Sequence, residues 1–181
     1  MRIEVVAYDP RWSTQFSLVR DQLMVALAPI AVVAIEHVGS TSVPGLAAKP
    51  IIDIDVVVTA KNVQPAIDGL AAVGYVYEGE FGVGRHGLAS PHDGLRRHVY
   101  VVLDGCLALR NHLTVRAVLR ADEELRDEYG ALKLELAERD LPDLDAYTAA
   151  KSDLLERVMA EGGMSPAERS EIRGSIIGNA T

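Results

Sequence analysis

The sequence contains very little cysteine and no long hydrophobic run, and each scarcity excludes a class of protein. Cys106 is the only cysteine in 181 residues, so no disulfide can form within the chain and we expect a reducing compartment. Residues 23–35 carry no charge, but the segment is too short to span a bilayer and Pro29 interrupts it. The first ten residues lack the apolar core of a signal peptide. We therefore expect a cytoplasmic protein without a membrane partner.

Basic residues are also in deficit. The 18 Lys and Arg are outnumbered by 26 Asp and Glu, which gives a net charge of −8. Because binding to a nucleic-acid backbone needs clustered positive charge, this balance disfavours a general nucleic-acid partner. A local basic pocket for one nucleotide remains compatible with it. A hydrophobic content of 49% is typical of a folded globular protein.

The pattern of apolar residues predicts an α+β fold, in which a small mixed sheet flanked by helices precedes a helical C-terminal half. Strands are predicted at 31–38, 51–58, 75–78 and 97–103, and helices at 10–28, 63–73, 107–120, 123–139 and 143–161. Residues 79–94, rich in Gly and His, are predicted to form a flexible loop. We expect one domain over 1–162. In the tail, 163–181, a capping box at Ser165–Glu168 predicts a short helix.

Two aspartates interrupt the apolar strand predicted at 51–58. Asp53 and Asp55 are alternate residues, so their side chains point to the same face. Two carboxylates that close repel each other unless a cation lies between them, and Mg²⁺ or Mn²⁺ accepts such oxygen ligands. The structural alternative requires that each aspartate either pairs with a basic residue or caps a loop. We predict that both are metal ligands and catalytic residues.

A Gly-Ser turn follows the preceding strand. Free backbone amides and the hydroxyl at Gly39 and Ser40 can hold a phosphate, and Thr41 and Ser42 add two more hydroxyls. Gly-Ser alone marks many turns, and its significance here comes from the aspartates that follow. Lys49 either reaches a phosphate, or neutralises the aspartates, or is an ordinary solvated lysine.

The segment 36–56, EHVGSTSVPGLAAKPIIDIDV, resembles the GrpB family of the nucleotidyltransferase superfamily. The resemblance continues in LRNHLTVRAVLRADEELRDEYGALKLELA and AYTAAKSDLLERV, and it covers roughly residues 5–160. It implies a nucleotidyltransferase fold. Arg116, Lys133 and Lys151 match basic positions of the family pattern, which implies that they surround a triphosphate. The alternative for each is an ordinary ion pair with a nearby glutamate.

The chain also departs from that pattern. Nucleotidyltransferases usually add a third carboxylate from a later strand, and the strand at 97–102 contains none. The family tends to show a His-x-His pair there, of which His98 matches and Tyr100 does not, and Ala117 replaces an acid. His98 is predicted to be a catalytic base, and the alternative is a hydrogen-bonded residue at the rim of the sheet.

The resemblance implies transfer of a nucleoside monophosphate from an NTP to a small-molecule or protein acceptor. The rival hypothesis is a non-catalytic module that binds a nucleotide or has a regulatory or folding role. The family's domains also occur fused behind dephospho-coenzyme A kinase, which implies a folding or regulatory role, and the absent third acid supports this rival as well. His86, His92 and His112 have no spacing typical of a zinc site and are left unassigned.

Overall fold

A computed structural model describes residues 3–139 and 142–177. Five strands form one sheet: β1 (Val32–Val38), β2 (Ile52–Val58), β3 (Val76–Glu80), β4 (Arg85–Ala89) and β5 (Arg97–Leu103). The helices in the described residues are α1 (Arg11–Ala26), α2 (Val63–Ala71), α3 (Leu107–Ala121), α4 (Glu123–Glu138), α5 (Leu144–Ala150), α6 (Ser152–Glu161) and α7 (Pro166–Ile177). None of these helices combines the length and hydrophobicity that crossing a membrane requires.

The sheet is mixed, with strand order β1-β2-β5-β4-β3. Only β2 and β5 run parallel, and every other neighbouring pair is antiparallel. In this register Asp53 pairs with His98 and Asp55 with Tyr100. The predicted fold class is confirmed, and β2 is buried from Ile54 onward, as its unbroken apolar sequence indicates.

Packing assigns the two faces of β2 to different halves of the molecule. Ile54, Val56 and Val58 belong to the core that α1 and α2 form with the sheet. Val57 belongs to a separate cluster with Leu109 of α3. Because side chains alternate along a strand, Asp53 and Asp55 share the face of Val57 and point toward the helical C-terminal half.

Two of the sequence predictions were wrong in detail. The segment 79–94, which was expected to be a loop, contains the strand β4. The sequence does not predict this strand because Gly87, at its centre, is a residue type that strands disfavour. A Cβ on Gly87 would lie 2.8 Å from Cδ2 of Phe81, so glycine makes room for that ring. The single helix predicted at 143–161 is interrupted at Lys151, which separates α5 from α6.

Within the described residues of the tail, the helix α7 begins where the capping box predicts a helix. Its capping box forms as expected, because the Ser165 amide donates to Oε2 of Glu168 at 2.8 Å. In return the Glu168 amide donates to the Ser165 hydroxyl at 3.3 Å. Met164 and Ile172 bury this helix against Met159 of α6.

Candidate active site

The turn after β1 lies directly against Asp53. Gly39 has φ +67°, a left-handed conformation that side chains rarely adopt. A Cβ at this position would lie 2.9 Å from Cγ of Asp53 and would overlap its Oδ2. Only glycine therefore lets the backbone approach the carboxylate. A short 3₁₀ turn follows at Ser40–Ser42.

Hydrogen bonds hold this turn rigid. The Thr41 hydroxyl donates to the Ile51 carbonyl at 3.2 Å and lies 3.0 Å from Nε2 of His37. The Ser42 hydroxyl donates to the Gly39 carbonyl at 2.6 Å. Arg120 donates through two nitrogens to the Ser42 carbonyl, at 3.0 and 2.6 Å. The hydroxyls of Thr41 and Ser42 thus stabilise the turn.

Each aspartate pairs with a histidine. Oδ1 of Asp53 accepts a hydrogen bond from Nδ1 of His98 at 2.9 Å. Oδ2 of Asp55 accepts one from Nδ1 of His112 at 2.7 Å. The Asp55 side chain is 0% exposed, whereas that of Asp53 is 29% exposed. Among the described residues, Oδ1 of Asp55 is buried without a partner, which leaves an anionic oxygen free for a cation.

The ionisation of the strand β5 side chains follows from these neighbours. The hydrogen bond to Asp53 raises the pKa of His98, burial opposes the shift, and the charges of Asp53 and Glu78 add to it. Burial raises the pKa of Tyr100 to about 12, so its hydroxyl stays neutral. The Tyr100 ring lies 6.3 Å from the His98 ring and 6.4 Å from the His112 ring.

Three lysines converge on a pocket beside Asp53, which we call the lysine pocket. Its volume is about 200 Å³, and it is lined by Ser40, Thr41, Lys49, Ile51, Asp53, His98, Lys133, Tyr147 and Lys151. The Nζ atoms of Lys49 and Lys151 lie 4.7 and 4.1 Å from the centre of the Tyr147 ring. The Nζ atom of Lys133 lies 4.4 Å from the Tyr129 ring.

Burial strongly perturbs these amines. Lys133 is 2% exposed, and within the described part of the chain its Nζ has no hydrogen-bond partner. Burial, and then the charge of Lys151, lower the pKa of Lys133 to about 6. Burial and the charge of Lys49 lower that of Lys151 to about 8, although Asp53 opposes this shift. Burial also lowers the pKa of Lys49. An anion in the lysine pocket would stabilise the charged form of all three amines and so raise their pKa values.

The structure separates the predicted residues into two groups. Lys49, Lys133 and Lys151 meet around one pocket with Ser40 and Asp53. Arg116 lies elsewhere: it donates to Oε2 of Glu36 at 2.8 Å and to the His37 carbonyl at 2.7 Å, and so ties α3 to β1.

Two residues that contact or adjoin the predicted site residues carry no clear signal in the sequence. His112 reaches Asp55 from α3, and 57 positions separate the two residues, so spacing gives no signal of the contact. Glu78 lines an open cleft with His98 and Tyr100. A β-bulge between Tyr77 and Gly79 surrounds Glu78, and such bulges redirect a side chain. The acidic pair around Gly79 was the only available signal.

The carboxylates at the site suit a cation whose remaining ligands are water and substrate phosphate. Within residues 3–139 and 142–177, no three His, Cys, Asp or Glu side chains are grouped to hold an ion. The chain offers instead two carboxylates on one face, one with an unpartnered buried oxygen. Mg²⁺ usually binds in this way, through one or two carboxylates plus substrate phosphates and water.

Comparison with known proteins identifies relatives along nearly the whole chain. The protein YqkA of Bacillus subtilis, named UPF0157, is 30% identical over 178 residues, which is 97% of this chain and 52% of that protein. A UPF0157 protein of Streptomyces coelicolor is 37% identical over 167 residues, covering 90% and 86%. A dephospho-CoA kinase of Mycolicibacterium paratuberculosis is 27% identical, over 82% of this chain and 43% of the kinase. The chain thus spans about half of YqkA.

Solved structures agree. The crystal structure of the conserved protein GrpB from Enterococcus faecalis has a TM-score of 0.77 and 33% identity, covering 88% of this chain and 96% of that one. The Cid1 poly(U) polymerase with MgGTP bound has a TM-score of 0.50 and 16% identity, over 68% and 42%. The latter similarity establishes a nucleotidyltransferase-like fold and nothing finer. The family model described as GrpB protein matches residues 2–161, and the chain belongs to the GrpB family.

Proposed function

We propose that the protein is a metal-dependent nucleotidyltransferase, which moves a nucleoside monophosphate from an NTP to a small-molecule or protein acceptor. One observation supports this most directly: three lysine amines surround a pocket that Asp53 and, from the turn after β1, Ser40 also line. Amines opposite carboxylates are the charge arrangement that a metal-bound triphosphate requires.

Asp53 and Asp55 are the residues that would hold Mg²⁺ or Mn²⁺. Their common face supports this role, and so does Oδ1 of Asp55, which is buried without a hydrogen-bond partner among the residues that the structure describes. A divalent ion there supplies positive charge to the phosphoryl group under transfer. The hydrogen bonds from His98 and His112 use one oxygen of each carboxylate, Oδ1 of Asp53 and Oδ2 of Asp55, so the other oxygen of each could take the ion.

The lysines would bind and orient the phosphates. All three amines pack against a tyrosine ring, and among the described residues Nζ of Lys133 is buried without a hydrogen-bond partner. The backbone amides at Ser40 add uncharged donors at the start of the 3₁₀ turn. The lysine pocket would therefore fix the leaving pyrophosphate.

His98 is our candidate for the proton acceptor. Its Nδ1 donates to Asp53, and among the described residues Nε2 has no hydrogen bond, so Nε2 can take a proton from an acceptor hydroxyl. The side chain is 54% exposed, and it lines the open cleft next to Glu78. An acceptor can thus reach it from solvent.

A non-catalytic nucleotide-binding, regulatory or folding module is the second candidate. The strand β5 presents His98 and Tyr100 beside the aspartates, where nucleotidyltransferases usually place an acid. A protein that lacks this acid can still bind a nucleotide and its metal ion without transferring the nucleotidyl group.

The test begins with calorimetry of the four NTPs with and without Mg²⁺. We expect at least one NTP to bind more tightly with Mg²⁺, and Asp53→Asn and Asp55→Asn to abolish the increment. Asp104→Asn, in the exposed turn after β5, should keep it. Equal affinity with and without the ion in wild type would contradict the metal site.

A panel of labelled NTPs and acceptors then separates the two candidates. Pyrophosphate release together with a labelled adduct would establish the transferase. Nucleotide binding that depends on both aspartates, without turnover for any acceptor, would favour the non-catalytic module.

A further inference from the structure

A second cavity adjoins the lysine pocket, and the proposed phosphate chemistry leaves it unused. Ser40 lines both spaces, and Gly39 also lines the second one. We call it the α7 cavity because α7 forms part of its wall. Its apolar lining comes from three helices: Val115 and Leu119 of α3, Leu155 and Met159 of α6, and Ile172 of α7.

The size of the α7 cavity suits a single ring system. Its volume is about 190 Å³. Apolar cavities of about 150 Å³ stay dry and accept benzene. An apolar space of this kind favours a flat, weakly hydrated ligand over a charged or extended one.

Two polar side chains in the wall of the α7 cavity can form hydrogen bonds with a ligand. Asn111 lines the α7 cavity, and its Oδ1 is buried without a hydrogen bond among the described residues. His112 lines it too; its Nδ1 donates to Asp55, and its Nε2 has no hydrogen bond to any residue that the structure describes. A ring with donors and acceptors on its edge satisfies these groups, whereas a plain hydrocarbon does not.

Helix α7 is held over the cavity by several ion pairs. Nε of Arg169 lies 3.0 Å from Oε1 of Glu156, and Arg173 pairs with the other oxygen of Glu156. Arg110 pairs with Glu168 at 2.7 Å. The helix begins at Pro166 and so lies outside residues 2–161, the part that the family model matches.

We infer that the α7 cavity binds the base of the nucleotide whose phosphates occupy the lysine pocket, and that Ile172 and Arg173 of α7 help to select the base. The inference rests on the proposed function. A nucleotide joins a polyanion to a flat, hydrogen-bonding ring, and these are the two chemistries found on either side of Ser40. Neither space alone would accept both.

The test compares NTPs with inorganic tripolyphosphate, which carries the same phosphates without a base. Calorimetry on the full chain with Mg²⁺ should show at least one NTP binding more than tenfold tighter than tripolyphosphate. Leu155→Trp fills the α7 cavity and should reduce the affinity for that NTP to the tripolyphosphate level. Leu134→Trp, the same change at a 41% exposed position of α4, should alter neither affinity.

The outcomes distinguish the inference from the proposed function. Equal binding of NTPs and tripolyphosphate in wild type would overturn the inference and leave the phosphate site standing. Binding of neither would overturn both. If Leu155→Trp also weakens tripolyphosphate binding, Asn111→Ala decides: loss of the NTP preference supports the inference, and an unchanged preference overturns it.

Discussion

Binding of a nucleotide at the lysine pocket should take up about one proton at Lys133. With a pKa of about 6, Lys133 is charged in about 3% of molecules at pH 7.5. A phosphate beside Nζ favours the charged form and restores the pKa toward its ordinary value, about 10.4. Lys151, with a pKa of about 8, is mostly charged already and adds about 0.2 proton. We expect a total uptake of about 1.2 protons.

The sign of the pH dependence follows from the same values. The bound state holds more protons than the free state between the free and the bound pKa, so affinity falls as pH rises. Between pH 7 and 9 Lys133 accounts for a loss of affinity of roughly tenfold per pH unit, and Lys151 steepens the loss as the pH passes about 8. Below about pH 5 both amines are charged in either state, and the dependence on these groups disappears.

Calorimetry at pH 7.5, in buffers of different ionisation enthalpy, counts the protons directly. Lys133→Met should bind with about one proton fewer, and the difference from wild type cancels the protonation of the nucleotide itself. Lys61→Met, at an exposed position before α2, should match wild type. The same uptake in Lys133→Met as in wild type would refute the reasoning.

The nucleotide-free protein provides a second measurement of the same effect. The unfolded chain binds a proton at Lys133 that the folded chain lacks between about pH 6 and 10. The free energy of unfolding of wild type should therefore rise with pH relative to Lys133→Met, by up to about 1.4 kcal/mol per pH unit. Chemical denaturation across this range measures it, and parallel curves would contradict the buried neutral amine.

Two further changes test the turn and the strand β5. Gly39→Ala should unfold at a lower denaturant concentration than wild type and lose NTP binding, because its Cβ overlaps the Asp53 carboxylate. Gly94→Ala is the control, since Gly94 also has a positive φ but a Cβ there meets no atom within 4 Å. A comparable loss of NTP binding in Gly94→Ala would contradict this reason. His98→Ala should reduce any measured transfer rate steeply while NTP affinity by calorimetry stays within about threefold, on the order of one weak contact; lost affinity would assign His98 to nucleotide binding instead.

Some features of the fold and the site can be predicted from neighbouring residues in the sequence, and others cannot. The common face of Asp53 and Asp55 follows from alternation along one strand, and the start of α7 follows from a capping box of four residues. In contrast, the sequence does not predict β4, because Gly87 at its centre is atypical of a strand. The reason for this glycine is the Phe81 ring, which occupies the space that a side chain at position 87 would need. Local pattern cannot show a contact whose partner comes from another element.

The sequence by itself determined the mixed α+β fold, the Gly39–Ser40 turn and the paired carboxylates, because backbone geometry and alternation are properties of neighbouring residues. Only the tertiary structure decided which cations meet them. Arg116 and Lys133 look alike as basic positions on helices, yet the packing of α3 on β1 directs Arg116 to Glu36. The packing of α4 buries Lys133 beside the turn, where its Nζ has no hydrogen-bond partner in the described part of the chain. Ion partners depend on how distant segments pack, and that information is spread over the whole chain.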